Sequence, residues 1–152
     1  MPYLKNQLER VLRGAASSMY AIKILRSKGL SGPPLWDVTT QTAVSKMLYA
    51  SSAWWGYMDD TSRKRLNAII TRLVRLSCLS PKHKTFDSLC DTADQQLFDN
   101  ILKNKHHVLH HLLPKAKDHH YDLRPCRHDR NLPRLTNYHQ TNSILNRMLY
   151  KD

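Results

Sequence analysis

Glycine is scarce, with four residues in a chain of 152, and runs of β-branched residues are few. Both shortages weigh against a sheet and favour helices. No apolar run is long enough to cross a bilayer, and no apolar stretch follows the first charges as a signal peptide would require. The three cysteines, Cys78, Cys90 and Cys126, are odd in number and widely spaced, with no C-x-x-C. That excludes a disulfide framework and fits a reducing compartment, nucleus or cytoplasm. Acids are also short: 12 Asp and Glu face 24 Lys and Arg, a net charge of +12.

A chain so basic attracts polyanions. Nucleic acid is the first candidate and an anionic membrane surface the second. The hydrophobic share of 41% supports one core, and the length is too short for two good ones. The expected architecture is all-α: a small helical bundle over residues 1–114 and an extended basic tail over 115–152 with a short terminal helix.

The spacing predicts a first helix over Tyr3–Lys28. Leu4, Leu8, Val11, Ala15, Ile22 and Leu25 form its apolar stripe, with Ser18 the one polar member, and Gly29 stops it. A second, buried helix is expected from about Leu35 to Trp55, ended by Gly56, with Lys46 its only cation. A third is expected from about Ser62 to Cys78, capped by Asp60 or Thr61 and broken by Pro81. At about 100° per residue, Leu66, Ile69, Ile70, Leu73, Val74 and Leu76 fall on one side, and Lys64, Arg65, Arg72 and Arg75 share an arc on the other. Thr85 opens a short helix at Phe86. Thr92 with Gln95 spells a capping box for another, running to about Asn104. A short helical turn follows over His106–Leu113. Residues 115–140 read as extended, and Asn142 or Ser143 caps a last turn through Met148 and Tyr150.

The sharpest string is Tyr57-Met58-Asp59-Asp60, the Y-x-D-D signature of reverse transcriptases. Polymerase chemistry needs such a pair in a β-hairpin, with a third carboxylate from another strand, to hold two Mg²⁺ ions. Here the pair sits between a helix-ending Gly56 and the start of a basic helix, where an aspartate caps. The expected role is therefore structural, and no catalytic residue is assigned.

His106, His107, His110 and His111 form two i,i+4 pairs of the kind that chelates zinc on a helix. H-E-x-x-H is absent and no acid or cysteine lies nearby, so a solvated or phosphate-facing histidine surface is expected instead. Cys126 and His128 with His119 or His120 match no zinc spacing, and no metal site is assigned. Cys78 and Cys90 are expected in the core. No G-x-S-x-G and no compelling Cys/His pairing indicates nucleophilic catalysis. Ser31-Gly32-Pro33-Pro34 offers too few N–H groups to cradle a phosphate.

Three basic features remain. One is the helix arc Lys64, Arg65, Arg72 and Arg75. A second is the tail cluster Arg124, Arg127, Arg130 and Arg134, interleaved with Tyr121 and Tyr138. The third is Lys103, Lys105, Lys115 and Lys117. Cations interleaved with aromatics suit a phosphate backbone and unstacked bases. The residues expected to bind nucleic acid are Lys64, Arg65, Arg72, Arg75, Arg124, Arg127 and Arg134.

The string Tyr49-Ala50-Ser51-Ser52-Ala53-Trp54-Trp55-Gly56, followed by a basic amphipathic helix, resembles the region after the palm in jockey-like LINE (non-LTR retrotransposon) reverse transcriptases. Upstream, the stretch Tyr20 to Leu30 is similar to the helix leading into it. His106-His107-Val108-Leu109-His110, Leu112-Leu113-Pro114, Tyr121-Asp122-Leu123-Arg124, Arg127-His128, Leu132-Pro133 and the closing Arg147 to Asp152 resemble the family's tail, in the same order. The resemblance implies a thumb that packs on a template–primer duplex and a tail that binds nucleic acid. It also implies that the catalytic carboxylates, and the Mg²⁺ they hold, belong to a palm upstream of Met1. On that reading this chain is no enzyme by itself, needs no cofactor, and partners RNA or an RNA–DNA duplex. Two rivals stand beside it: a homodimer through residues 4–25, pairing Leu4, Leu8, Val11 and Ala15, and a zinc-binding His/Cys domain.

Overall fold

The computed structural model describes residues 2–117 and 128–151, with side chains from Lys5 onward. Among the described residues there is no strand. An isolated antiparallel bridge joins Ala116 and Arg130. The helices are α1 (Pro2–Ser27), α2 (Pro33–Thr39), α3 (Ser45–Leu48), α4 (Ser51–Trp54), α5 (Asp60–Arg75), α6 (Phe86–Lys103), α7 (Tyr138–Asn142) and α8 (Ile144–Leu149). The all-α expectation holds. The chain divides into two compact units, Met1–Asp91 and Thr92–Asp152; the 114/115 boundary read from the sequence falls inside the second.

In the first unit, the α1 stripe turns inward. Leu8, Val11, Ala15, Met19 and Ile22 are buried against Leu35, Ala43, Val44 and Met47. Ser18, the polar member, is buried and accepts a hydrogen bond from Lys46 Nζ at 3.4 Å. Leu25 is the exception: it is exposed. Gly29 ends the helix at φ 96°, where a side chain would be strained, and Leu30 N–H closes back onto the Leu25 carbonyl.

The second helix is not the single rod expected from Leu35 to Trp55. It starts at Pro33, suits proline in its first turn, and widens into a π-helical turn over Thr40–Val44. The Thr39 and Thr42 hydroxyls donate to the Leu35 and Val38 carbonyls, and Ser45 Oγ donates to Thr40 O. Hydroxyls that return to the helix's own carbonyls loosen its ladder, which is the physical reason the turn opens here. The helix then stops at Leu48. Ala50 adopts a left-handed conformation, φ 52°, before α4 and a 3₁₀ turn over Trp55–Tyr57. No glycine or proline marks that break.

Helix α5 starts earlier than expected, at Asp60, with Asp59 as the capping position. It also ends earlier. Ser77 takes a left-handed conformation, φ 54°, and Cys78 N–H returns to the Leu73 carbonyl, so the helix stops well before Pro81. Its apolar side is as expected at the centre, where Leu66, Ile70 and Leu73 are buried, while Ile69, Val74 and Leu76 are half-buried at the margins. Cys78 and Cys90 are both buried, as expected.

Asn67 is the polar hinge of this unit. Its Nδ2 donates to Arg63 O and to the Asp87 carboxylate, and its Oδ1 accepts from Phe86 N–H at 2.9 Å. One amide thus fixes where α6 begins. Asn67→Ala would leave the buried Phe86 N–H without that acceptor and is expected to cost about 1–3 kcal/mol in urea unfolding. A loss below about 0.5 kcal/mol, the range of an ordinary surface change, would show the hinge to be incidental.

Helix α6 is one unbroken element, not the two expected. Thr85 Oγ1 accepts from Ser88 N–H and caps it, and no breaker lies before Thr92, so the Thr92–Gln95 pattern falls inside the helix. In the second unit Phe98 and Ile101 of α6 are fully buried, and Phe98 packs with Met148, Leu149 and the half-buried Leu102, Leu113, Ile144 and Leu145. The terminal helix is present, with Ser143 at its cap as expected. Helix α7 was not expected in an extended tail. Asn137 Oδ1 accepts from Gln140 N–H, and Gln140 Oε1 accepts from Thr136 N–H, a reciprocal cap built with asparagine.

Candidate nucleic-acid interface

The basic arc lies on α5, whose apolar side is held in the first unit's core. Lys64, Arg65, Arg72 and Arg75 are all exposed. Lys64, Arg72 and Arg75 rim an open groove of about 610 Å³, with Asn67, Ala68 and Thr71 along it. The short side chains of Ala68 and Thr71 open the space, with Arg72 and Arg75 about one helical turn apart and Lys64 about two turns before Arg72.

The four cations differ in what surrounds them. Lys64 Nζ lies 2.7 Å from Asp60 Oδ2, an exposed i,i+4 pair. That hydrogen bond, with the attraction of the same carboxylate, raises the lysine pKa. Arg65 Nη2 lies 3.3 Å from Glu9 Oε1 of α1. Arg72 and Arg75 have no acidic partner among the described residues, so their charge is open to an external anion. Arg63 faces away from this role: its guanidinium sits 4.7 Å from the Trp55 ring centre and donates to Trp55 O.

The Arg65–Glu9 pair leads to cations the sequence reading passed over. Arg10 and Arg13 of α1 are exposed and line a polar groove of about 420 Å³ with Asn6 and Glu9. Their spacing, three residues apart and opposite the Leu8–Val11–Ala15 stripe, was visible in the sequence.

In the second unit Arg134 is exposed, as are Lys103, Lys105, Lys115 and Lys117. Arg130 is engaged, donating to Pro114 O at 3.2 Å. Arg124 and Arg127 lie outside the described residues, with Tyr121, Cys126, His119 and His120. Leu4 of the proposed seam also has no described side chain.

The Y-x-D-D aspartates are engaged locally. Asp59 occupies the cap of α5 and accepts from the Ser62 hydroxyl. That bond chiefly, helped by nearby backbone N–H groups, lowers the Asp59 pKa. Asp60 pairs with Lys64. The cap falls on Asp59, one residue before the position expected, because the chain stays extended through Asp59 and turns helical at Asp60.

The histidines do not form the α-helical pairs that chelation requires. The segment turns after Lys103 and closes in a 3₁₀ turn over His110–Leu112. His110 Nδ1 donates to Ile101 O at 2.7 Å, and His107 Nδ1 accepts from Leu109 N–H. These rings hold the turn together. Among the described residues no three His, Cys, Asp or Glu side chains converge as a metal site. His128 is similarly engaged: Nε2 donates to Leu149 O, and Nδ1 accepts from Arg130 N–H.

No helix among the described residues is long and apolar enough to cross a membrane. Comparison of the chain with known protein families, with curated proteins and with solved structures finds no match.

Proposed function

We propose that this chain is a nucleic-acid-binding helical module, the thumb and tail portion of a jockey-like LINE reverse transcriptase, holding RNA or an RNA–DNA duplex by its phosphates. The observation that carries the binding is the pair Arg72 and Arg75, exposed beside an open groove with no acidic partner among the described residues. Lys64 and Arg65 flank them but are partly neutralised by Asp60 and Glu9. Arg134, Arg124 and Arg127 extend the contact in the tail on this reading. The origin in a reverse transcriptase rests on the Trp54-Trp55-Gly56 and tail strings alone. The chemistry of polymerisation, with its Mg²⁺, belongs on this reading to a palm outside this chain, since Asp59 and Asp60 serve α5.

Binding through about four phosphates gives log affinity falling against log salt with a slope near −3 to −4. Arg72→Ala with Arg75→Ala is expected to flatten that slope by about two units, and Lys64→Ala with Arg65→Ala by less. Fluorescence anisotropy across a salt series reads both. Absent or salt-independent binding sinks the proposal.

A homodimer is the weaker reading. Leu8, Val11 and Ala15 are buried in the chain's own core, so residues 4–25 would have to pair through Tyr20, Ile24 and Leu25, which are exposed.

A further inference from the structure

A second cavity adjoins the basic groove. It measures about 300 Å³ and shares Asn67, Thr71 and Arg75 with its neighbour. Ile70, Val74, Pro81, His83 and Asp87 also line it. This composition differs from the groove. The walls are mostly apolar, with one imidazole ring, and they carry one carboxylate, Asp87, besides the shared Arg75.

A phosphate is better placed in the adjoining groove, where Lys64 and Arg72 join Arg75 and no acid lines the space, than among apolar walls beside Asp87. A flat heterocycle suits those walls. His83 Nδ1 donates to Lys84 O at 2.9 Å, which fixes its ring and leaves Nε2 as the outward nitrogen. Asp87 Oδ2 accepts from Asn67, and Oδ1 carries no hydrogen bond among the described residues. An ionised carboxylate only accepts. It therefore favours a ring edge that presents an amino group, as cytosine, adenine and guanine do. It disfavours uracil and thymine, whose edge sets carbonyl oxygens on both sides of a single N–H.

We propose that this pocket receives one unstacked base of a single-stranded nucleic acid while Arg72 and Arg75 hold the adjoining phosphates, and that Asp87 selects bases bearing an amino group. The inference rests on the nucleic-acid reading above and adds strand type and base preference to it. A paired base stays stacked in the duplex and cannot enter a pocket, so the pocket reads only single strands or splayed loops.

The test is anisotropy with the full chain, using oligocytidylate and oligouridylate of equal length and a duplex of matched phosphate count. Oligocytidylate is expected to bind about tenfold more tightly than oligouridylate, the size of one good base-edge contact. Asp87→Asn retains an acceptor for Asn67 and is expected to bring the ratio near one. His83→Ala, at a loop position, is expected to weaken both single strands about tenfold through lost stacking, with the salt slope unchanged. Equal affinity for the two strands in the natural protein overturns the proposal, as does a ratio that survives Asp87→Asn. If that variant unfolds, an unaltered affinity in His83→Ala overturns it. Failure of all three ligands to bind removes the nucleic-acid reading itself, a different result from binding without base preference.

Discussion

Asp94→Ala is expected to cost the second unit about 3–5 kcal/mol, comparable to the whole stability of a small domain. Asp94 is completely buried on α6, and its Oδ2 lies 2.9 Å from Arg147 Nη1 of α8. The contact is close but lacks hydrogen-bond alignment, and Asp94 Oδ1 and Arg147 Nη2 have no partner among the described residues. Arg147 is further held by its Nε donating to Asn142 O at 3.1 Å. Removing the carboxylate strands a largely buried guanidinium, and that uncompensated charge supplies most of the cost. Replacing both residues, Asp94→Leu with Arg147→Met, is expected to recover most of the loss or exceed the natural stability, because the pair is imperfectly satisfied. Hydrogen exchange of the α8 amides reads the effect locally. An Asp94→Ala protein with unchanged protection at Met148 and Leu149 would show that the pair does not hold the unit.

Phe86→Ala is the second large effect, about 3–5 kcal/mol in the first unit. Phe86 has no exposed surface and packs against both tryptophans: its centroid is 5.4 Å from Trp55, edge to face, and 6.5 Å from Trp54, nearly parallel. The tryptophans themselves meet edge to face at 6.2 Å. Truncation leaves a cavity between two rigid rings that cannot close over it, and it also forfeits about 0.5–1.5 kcal/mol of ring–ring contact. Phe86→Leu keeps most of the volume and is expected to recover part of the loss. Denaturation followed by tryptophan fluorescence reports this unit, because Trp36, Trp54 and Trp55 all lie in it. A midpoint unchanged in Phe86→Ala would mean that the aromatic cluster is not a core.

The sequence was most legible where periodicity and chemistry agree. The α1 stripe, the apolar centre of α5, the Gly29 stop and the Ser143 cap all follow from spacing and cap preference. The breaks were less legible because they occur without the residues that usually make them. Ala50 and Ser77 adopt left-handed backbone where glycine or asparagine would be the signal, and at Ser77 the closure is made by Cys78 N–H returning to Leu73 O. Thr92 and Gln95 spell a start that a continuous helix overrides. For the site, helical arithmetic found Lys64, Arg65, Arg72 and Arg75 on one exposed side. It could not find which two are paired, because Glu9 meets Arg65 across 56 residues. The pocket beside Arg75 was likewise hidden, since it joins α5 to the turn after it.

The wide turn at Thr40–Val44 sets a phase. In an unbroken α-helix Leu35 and Met47, twelve residues apart, would point about 120° from each other. One extra residue absorbed in the turn takes up about 100° of that rotation, which brings the two to within about 20°. Leu35 and Met47 are both fully buried. The threonines thus uncouple the length of the segment from the direction of its apolar side. A stretch whose spacing would wind its hydrophobic residues around the axis keeps them all on one flank.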